Sequence, residues 1–418
     1  MNTDENGNRT GGTHKRSLWV LGDRPGPQHP RTSGRRLSVP PLTRSGLRTA
    51  LAWVLVMSLI AAWPPCGCGA DGTDTRPNGG DSDQTATEPA NEGTGGWKDL
   101  LIGVAGQITL AAEDGILFYA YDTLAWPDQP VELLAKAALL KEMKGIAGAT
   151  VTFTLDDKRL GAVKTDESGR AKMNWTPPRE GSFLIEVRLT ALPDGAAPDV
   201  KPSSLMVLAR KKDARFIVVD LDHTVVDSGF ARVLMGMAKP MPGAAEALRA
   251  LQRDGYNLIY LTARPDLMTV KSKNWLTNND FPRAPLLVST LEEAIGDSGR
   301  FKTGRIKALR EKFPNLAVGI GDKFTDAEAY AANGMTAYVI PHYKREGNDA
   351  KDFEKVAEQV AALSGTIQVV DSWEQVKAGL TGGKKFPPKP YAERLKARAE
   401  RLRREERDRK RRGNDDDD

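Results

Sequence analysis

The chain has 418 residues, 40% hydrophobic and 28% charged, which at about 100–200 residues per domain leaves room for two domains and unstructured extensions. Two cysteines, Cys66 and Cys68, exclude a disulfide scaffold, and the four histidines (His14, His29, His223, His342) are too scattered for zinc spacing. The net charge of +5 belongs to the ends: residues 1–70 carry a surplus of six positive charges and residues 384–418 a surplus of five, leaving the body at −6. Overall basicity is therefore no sign of nucleic-acid binding, and no nucleic-acid partner is expected.

Residues 1–49 are polar and rich in Arg, Gly and Pro. Ala50–Trp63 then runs fourteen residues without a charge. That is short of the roughly 20 needed to span a bilayer and fits the apolar stretch of a secretory signal, with cleavage expected after Ala70. The basic segment before it is unusually long, which an upstream mis-assigned start or an uncleaved short anchor would explain. Trp-Pro-Pro before Cys66 argues against lipid attachment there. The expectation is export: periplasmic, extracellular or membrane-anchored facing outward. Asp71–Gly96 contains no aliphatic, Met or aromatic side chain beyond alanine and reads as a flexible tether.

From Trp97 to about Arg210, short strand-like runs (Ile116–Tyr121, Val131–Leu134, Thr150–Leu155, Gly161–Lys164, Ala171–Trp175, Ser182–Leu189) alternate with turn signals. The pattern predicts an antiparallel β-sandwich. The segment carrying Thr165, Asp166, Gly169 and Ala171 resembles bacterial immunoglobulin-like modules, which implies a fold and no activity. Asp156–Asp157 and Asp166–Glu167 read as turn residues.

From Asp213 to about Leu380, apolar strands (Phe216–Val219, Leu258–Leu261, Leu286–Val288, Leu316–Ile320, Ala337–Ile340, Ile367–Val370) alternate with helical segments (Gly243–Asp254, Asp266–Asn278, Gly304–Lys312, Asp326–Asn333, Asp352–Leu363). This predicts a parallel sheet covered on both faces, with its ligand beyond the carboxyl ends of the strands. Beyond the stiff Pro387–Pro390 stretch, Tyr391–Arg412 reads as a solvated, charge-laced helix; contact with a membrane surface or an anionic polymer is the sharper alternative.

Each notable polar cluster of the third region falls at a strand end. The first strand leads into Asp220-Leu-Asp222-His-Thr224, the second into Thr262-Ala-Arg264-Pro, the fourth into Gly321-Asp322-Lys-Phe-Thr-Asp326, and Lys302 stands near a helix start. Asp220 and Asp222, two apart, can face one crevice only if the chain leaves pleated geometry there. With Asp322 they crowd negative charge that calls for a cation, and all-oxygen ligands suit Mg²⁺. A hydroxyl (Thr262) and an ammonium (Lys302) then suit phosphoryl oxygens, and the set reads as phosphoryl transfer.

These segments resemble the four motifs of the haloacid dehalogenase superfamily: DxDxT, a strand-end Thr, a Lys, and GDxxxD. The resemblance implies a Rossmann-like three-layer α/β fold. It implies Asp220 as the nucleophile, Asp222 as the acid/base, and Thr262 and Lys302 as phosphoryl-binding groups. Mg²⁺ would be held by Asp220, Asp322, the backbone carbonyl of Asp222, and Asp326 directly or through water. Lys307 lies five residues beyond Lys302, but Lys302-x-x-x-Ile306 before Phe313-Pro314 fits the lysine motif better. His223 stands where the family often has Gly, and reads as a solvated rim residue.

Only about fourteen residues (Gly229–Pro242) precede the first helix, and the Thr262–Lys302 interval is used up by a helix, a strand and a loop, so no inserted cap is expected. An open site suits large or surface-bound phosphates. The finer pattern, Tyr260-Leu-Thr-Ala-Arg264-Pro, Pro285-Leu-Leu-Val, Lys302-x-x-x-Ile and Gly321-Asp322-x-x-x-Asp326-x-x-x-Tyr330, resembles the lipin-type and actin-patch-type phosphatidate phosphatases. It implies a phosphatidate-like substrate and peripheral membrane contact. Soluble phosphomonoesters, or phosphatidate binding without turnover, remain the alternatives. The expected organisation is a signal or anchor at 1–70, a tether at 71–96, the sandwich at 97–210, the α/β domain at 211–380 and a charged tail at 381–418.

Overall fold

The structure, a computed structural model, describes residues 115–415 except 141, 230, 231, 234, 235, 296, 297 and 344–348. The expected signal segment, tether and first residues of the sandwich lie outside the described residues. No described helix is long and apolar enough to cross a membrane.

Among the described residues, nine strands precede the parallel sheet: β1 (Ile116–Tyr121), β2 (Thr123–Ala125), β3 (Val131–Leu139), β4 (Lys144–Gly145), β5 (Thr150–Leu155), β6 (Lys158–Lys164), β7 (Arg170–Trp175), β8 (Gly181–Ala191) and β9 (Ser203–Ala209). β3 is flanked by β1 on one side and by β4 and β7 on the other, while a second sheet runs β2-β9-β8-β5-β6. Side chains two apart on a strand share a face. Phe183, Ile185, Val187 and Leu189 of β8 thus point one way and meet Phe118, Leu133, Ala135 and Ala137 of the facing sheet in one buried core. The expected acidic turns are present: Asp156 and Asp157 take positive φ between β5 and β6. Asp166 Oδ1 accepts from the backbone N–H groups of Ser168 and Arg170, both at 2.9 Å.

The second half is a six-stranded, all-parallel sheet: β10 (Phe216–Val219), β11 (Asn257–Pro265), β12 (Leu286–Ser289), β13 (Leu316–Gly321), β14 (Thr336–Val339) and β15 (Gln368–Val369), in the order β12-β11-β10-β13-β14-β15. The helices are α1 (Ala244–Arg253), α2 (Thr269–Asn278), α3 (Leu291–Ile295), α4 (Ser298–Lys312), α5 (Phe324–Ala332), α6 (Ala350–Ala362), α7 (Trp373–Gly382) and α8 (Pro388–Asp415). Both faces of the sheet are apolar, as parallel sheets require. Phe216 and Val218 of β10 enter the core made by α4, α5, α6 and α8, while Ile217 and Val219 enter the one made by α1, α2 and α7. Among the described residues, neither the β10–α1 connection nor the β11–α4 interval carries a separate folded domain.

The tail departs from the solvated reading. Pro388 and Pro390 fall in the first turn of α8, where the missing N–H groups have no helical partner to lose. Tyr391, Ala392, Leu395 and Ala399 are buried in the core shared with α6. Apolar residues spaced three and four apart gave this helix a buried stripe that its high charge obscured.

The two halves are joined by a built interface. Asp122, 7% exposed, has one carboxylate oxygen accepting from Lys273 Nζ (2.6 Å) and Met206 N–H (2.7 Å) and the other accepting from Leu286 N–H (2.8 Å). It thereby ties β9 to both β12 and α2. Lys273 also donates to Ser204 O (2.8 Å), and Lys312 to Leu124 O (2.6 Å). Leu124 and Leu208 of the sandwich lie in the same buried cluster as Phe216 and Phe313. Removing one partner of a buried ion pair strands the other, at about 3–5 kcal/mol. Asp122→Ala is therefore expected to destabilise the whole chain by about that amount in denaturant titration, with both halves unfolding in one transition.

Candidate active site at the carboxyl edge of the parallel sheet

The end of β10 is shaped to bring two acidic residues out of one strand. Asp220 N–H still bonds to Ile320 O (2.9 Å), and the chain then wraps on itself: the N–H groups of Thr224, Val225 and Val226 all reach Leu221 O. His223, at φ 57, makes that wrap possible by taking a left-handed conformation. A side chain there costs on the order of 1–2 kcal/mol, which explains why glycine suits the position.

Asp220, Asp322 and Asp326 converge. Asp322 follows β13, and Asp326 lies in the first turn of α5. Each offers an oxygen such that the three lie within 4.8 Å of one another, and all three residues are buried. Lys302, on α4 and 4% exposed, sits 3.0 Å from Asp220 Oδ1 and 2.5 Å from Asp326 Oδ2. Lys307 on the same helix is exposed. Burial alone would pull the Lys302 ammonium down, but Asp220 and Asp326 outweigh it and hold its pKa well above the usual lysine value. Burial, then the charges of Asp220 and Asp326, push the Asp322 carboxyl well above its ordinary range. Asp326 is also raised, chiefly by burial, against the opposing pull of Lys302.

Asp322 Oδ1 is buried with no hydrogen-bond partner. An unpaired buried acceptor beside two further carboxylates is what a hard, oxygen-seeking cation would satisfy, so the donor set fits Mg²⁺.

Asp222 does not join this cluster through its side chain. The Arg264 guanidinium, 2% exposed, grips it instead: Nε lies 3.0 Å from Oδ2 and NH2 2.7 Å from Oδ1. Its remaining arm donates to Ser272 Oγ (3.0 Å). Thr262, on β11, is buried and accepts from Arg264 N–H (3.2 Å); it makes no side-chain bond to the carboxylate cluster. Sequence reasoning gave Arg264 no role. The signal was its position two residues after Thr262 on the same strand, hence on the same face. His223 is half-buried rather than solvated, and its ring stacks on His342 with centroids 3.7 Å apart.

Fold and site together define an α/β domain with a buried acidic centre capable of holding a cation at a strand-end edge. Residues 217–340 match the LNS2 domain of the PITM 1-3 family. The chain is 28% identical over 180 residues to the human membrane-associated phosphatidylinositol transfer protein 1, covering 42% of this chain and 14% of that protein. It is 27% identical over 178 residues to the human membrane-associated phosphatidylinositol transfer protein 3, covering 42% of this chain and 17% of that one. The chain thus spans less than a fifth of the length of these relatives. Among solved structures, D,D-heptose 1,7-bisphosphate phosphatase from B. bronchiseptica, complexed with magnesium and phosphate, aligns at 16% identity over 41% of this chain and 99% of that one, with a TM-score of 0.32.

The raised Asp322 pKa has a consequence for metal-free protein. The folded state holds the Asp322 proton more tightly than the unfolded state, whose carboxyl titrates near the ordinary value of 3.8. The stability from this group is thus fully present below that value and is lost as pH rises towards the folded pKa. Asp322→Asn is expected to flatten this part of the Tm-versus-pH profile. Mg²⁺ is expected to raise the Tm of the wild type near neutral pH and to leave that of Asp322→Asn unchanged, since metal and proton compete for the same carboxylate.

Proposed function

We propose that the protein is a Mg²⁺-dependent phosphomonoester hydrolase of the haloacid dehalogenase type, with phosphatidate or a similar lipid phosphate as substrate. The observation that carries the reading is the buried Asp220 carboxylate, 3.0 Å from the Lys302 ammonium and grouped with Asp322 and Asp326 at one strand edge. Buried, crowded carboxylates of this kind cluster at functional sites.

In this mechanism an Asp220 oxygen attacks phosphorus, forming the aspartyl phosphate as the bond to the leaving oxygen breaks. Asp222, protonated on one oxygen and keeping the other paired with Arg264, delivers that proton to the leaving oxygen, then takes one from the water that attacks the same phosphorus; the Asp220 carboxylate departs and inorganic phosphate is released. Lys302 offsets charge on Asp220 and on the phosphoryl group, and Thr262 donates its hydroxyl to a phosphoryl oxygen. Arg264 fixes the direction of Asp222. Asp220, Asp322 and Asp326, with the backbone carbonyl of Asp222, would hold Mg²⁺, which would supply neutralising charge to the phosphoryl oxygens.

The lipid assignment is supported by the likeness to the LNS2 domain and to proteins named for phosphatidylinositol transfer, and by the lack of an inserted lid domain among the described residues. The sandwich is taken as an immunoglobulin-like brace for the catalytic domain. The apolar Ala50–Trp63 segment supports a position outside the cytoplasm, released or tethered.

Phosphate release by the full chain with Mg²⁺ tests the reading, using phosphatidate micelles beside an aryl phosphate and sugar phosphates. Turnover of phosphatidate is expected, falling at least about a thousandfold in Asp220→Asn. An unchanged rate in that variant rules out covalent catalysis by Asp220. Activity confined to soluble phosphates removes the lipid assignment, and phosphatidate binding without turnover makes the domain a binding module.

A further inference from the structure

Tyr330 is fully buried, and its phenol oxygen has no hydrogen-bond partner among the described residues. The ring by itself belongs to the core, in one cluster with Phe313, Ala327 and Val339. Phenylalanine would fill that place without stranding a hydroxyl, which costs free energy when it is buried and unpaired. The hydroxyl, not the ring, is therefore what needs a reason.

Its direction supplies one. The base of the ring lies against Gly319 and its far edge reaches Gly321: a Cβ at Gly321 would stand 3.8 Å from Tyr330 Cε2 and 3.4 Å from Asp326 Oδ2. The phenol thus points along β13 towards its carboxyl end, and its outer edge and that carboxylate oxygen flank the same glycine. Tyr330 and Asp326 are also one turn apart on α5, hence on one face of the helix. Burial holds the phenol pKa well above its ordinary value, with Lys302 opposing and Asp326, Asp220 and Asp322 adding to the rise. The hydroxyl accordingly keeps its proton and is a neutral donor within reach of the whole cluster's charge.

Asp326 Oδ2 is the oxygen that Lys302 holds at 2.5 Å, while Asp220 Oδ1 lies 3.0 Å from the same ammonium. The shorter contact goes to a carboxylate that forms no bond to phosphorus. In the proposed reaction the ammonium has to serve Asp220 and the phosphoryl oxygens, and its charge cannot be centred on Asp326 at the same time. Its withdrawal would leave Asp326 buried without a partner, which is costly unless another donor takes its place.

We propose that Tyr330 is that donor, a positioning residue whose hydroxyl bonds to Asp326 Oδ2 as Lys302 turns to the phosphoryl group. No proton changes hands, and the carboxylate keeps lone pairs for a cation. This rests on the phosphatase reading above and adds to it the group that releases Lys302 for its role.

The test compares wild type and Tyr330→Phe as full chains with Mg²⁺, on p-nitrophenyl phosphate and on dioctanoyl phosphatidate. The variant is expected to lose about tenfold in kcat on every probe the wild type cleaves, with KM little changed, because phosphoryl transfer is served and not leaving-group recognition. Its Tm without substrate is expected to equal or exceed that of the wild type, since only an unpaired hydroxyl is removed. Inorganic phosphate added with Mg²⁺ is expected to shift the near-ultraviolet tyrosine absorption of the wild type, and Tyr330→Phe to lose that shift. An unchanged kcat, a loss accompanied by a fall in Tm, or a tyrosine shift that survives the substitution overturns the role of the hydroxyl while leaving the phosphatase reading intact. A wild type inert towards both probes overturns the phosphatase reading itself, and this role with it.

Discussion

The site is governed by a charge imbalance. Asp220, Asp322 and Asp326 are each less than a tenth exposed, and the one buried ammonium beside them among the described residues, Lys302, pairs with two of the three. One positive charge cannot balance three carboxylates in a medium of low polarisability. Either a proton stays on the unpaired member or a cation takes its place. Asp322 is that member: its Oδ1 has no partner and its pKa is pushed up by burial and by both neighbours. The rest of the domain keeps this unfavourable arrangement in place. Phe301, Ile306, Leu309 and Phe313 anchor the helix that presents Lys302 to the core. The first turn of α5, with its partial positive charge, carries Asp326.

Packing sets the distance between those parts. Tyr330 stands one helical turn after Asp326, and its fully buried ring lies against Gly319 of β13, where a Cβ would come within 2.1 Å of the ring. Glycine at 319 is required by this approach rather than by any unusual backbone angle. With the ring seated there, the start of α5 comes down on the strand edge from which Asp322 emerges, and the two acidic residues share one space. Adding a side chain at Gly319 would lift the helix and separate them.

Much of this was legible in the sequence, because periodicity and strand-end polarity are local. Phe216–Val219 and Thr150–Leu155 form strands over the residues their apolar patterns predicted, and the clusters at Asp220, Thr262 and Asp322 each sit at or near the carboxyl end of a strand. What escaped depended on neighbours distant in the chain. β9 lacks the alternation of a half-buried strand because most of its residues are covered on both sides. α7 was obscured by its glycines, although Trp373 is buried deep in the second core. The His223–His342 stack joins residues 119 apart in the chain, so nothing around either one announces the other.

The sandwich and the chemistry meet on one short stretch of chain. Tyr121 donates to Asp266 at 2.5 Å, with Lys136 3.9 Å from the same carboxylate, and Leu117 and Tyr119 pack on Leu267 and Met268. Lys273, five residues further on, is held by Asp122. Between and beside these contacts lie Arg264 and Ser272, the pair whose hydrogen bond orients the guanidinium on Asp222. The first sandwich strands therefore clamp the segment whose Arg264 holds Asp222, the residue proposed as acid/base. A bidentate grip keeps its directional value only while its own base is held in place. The near absence of linker between Ala209 and Phe216 follows from the same requirement: a freely tumbling sandwich could not hold Asp266 and Lys273 in register with Arg264.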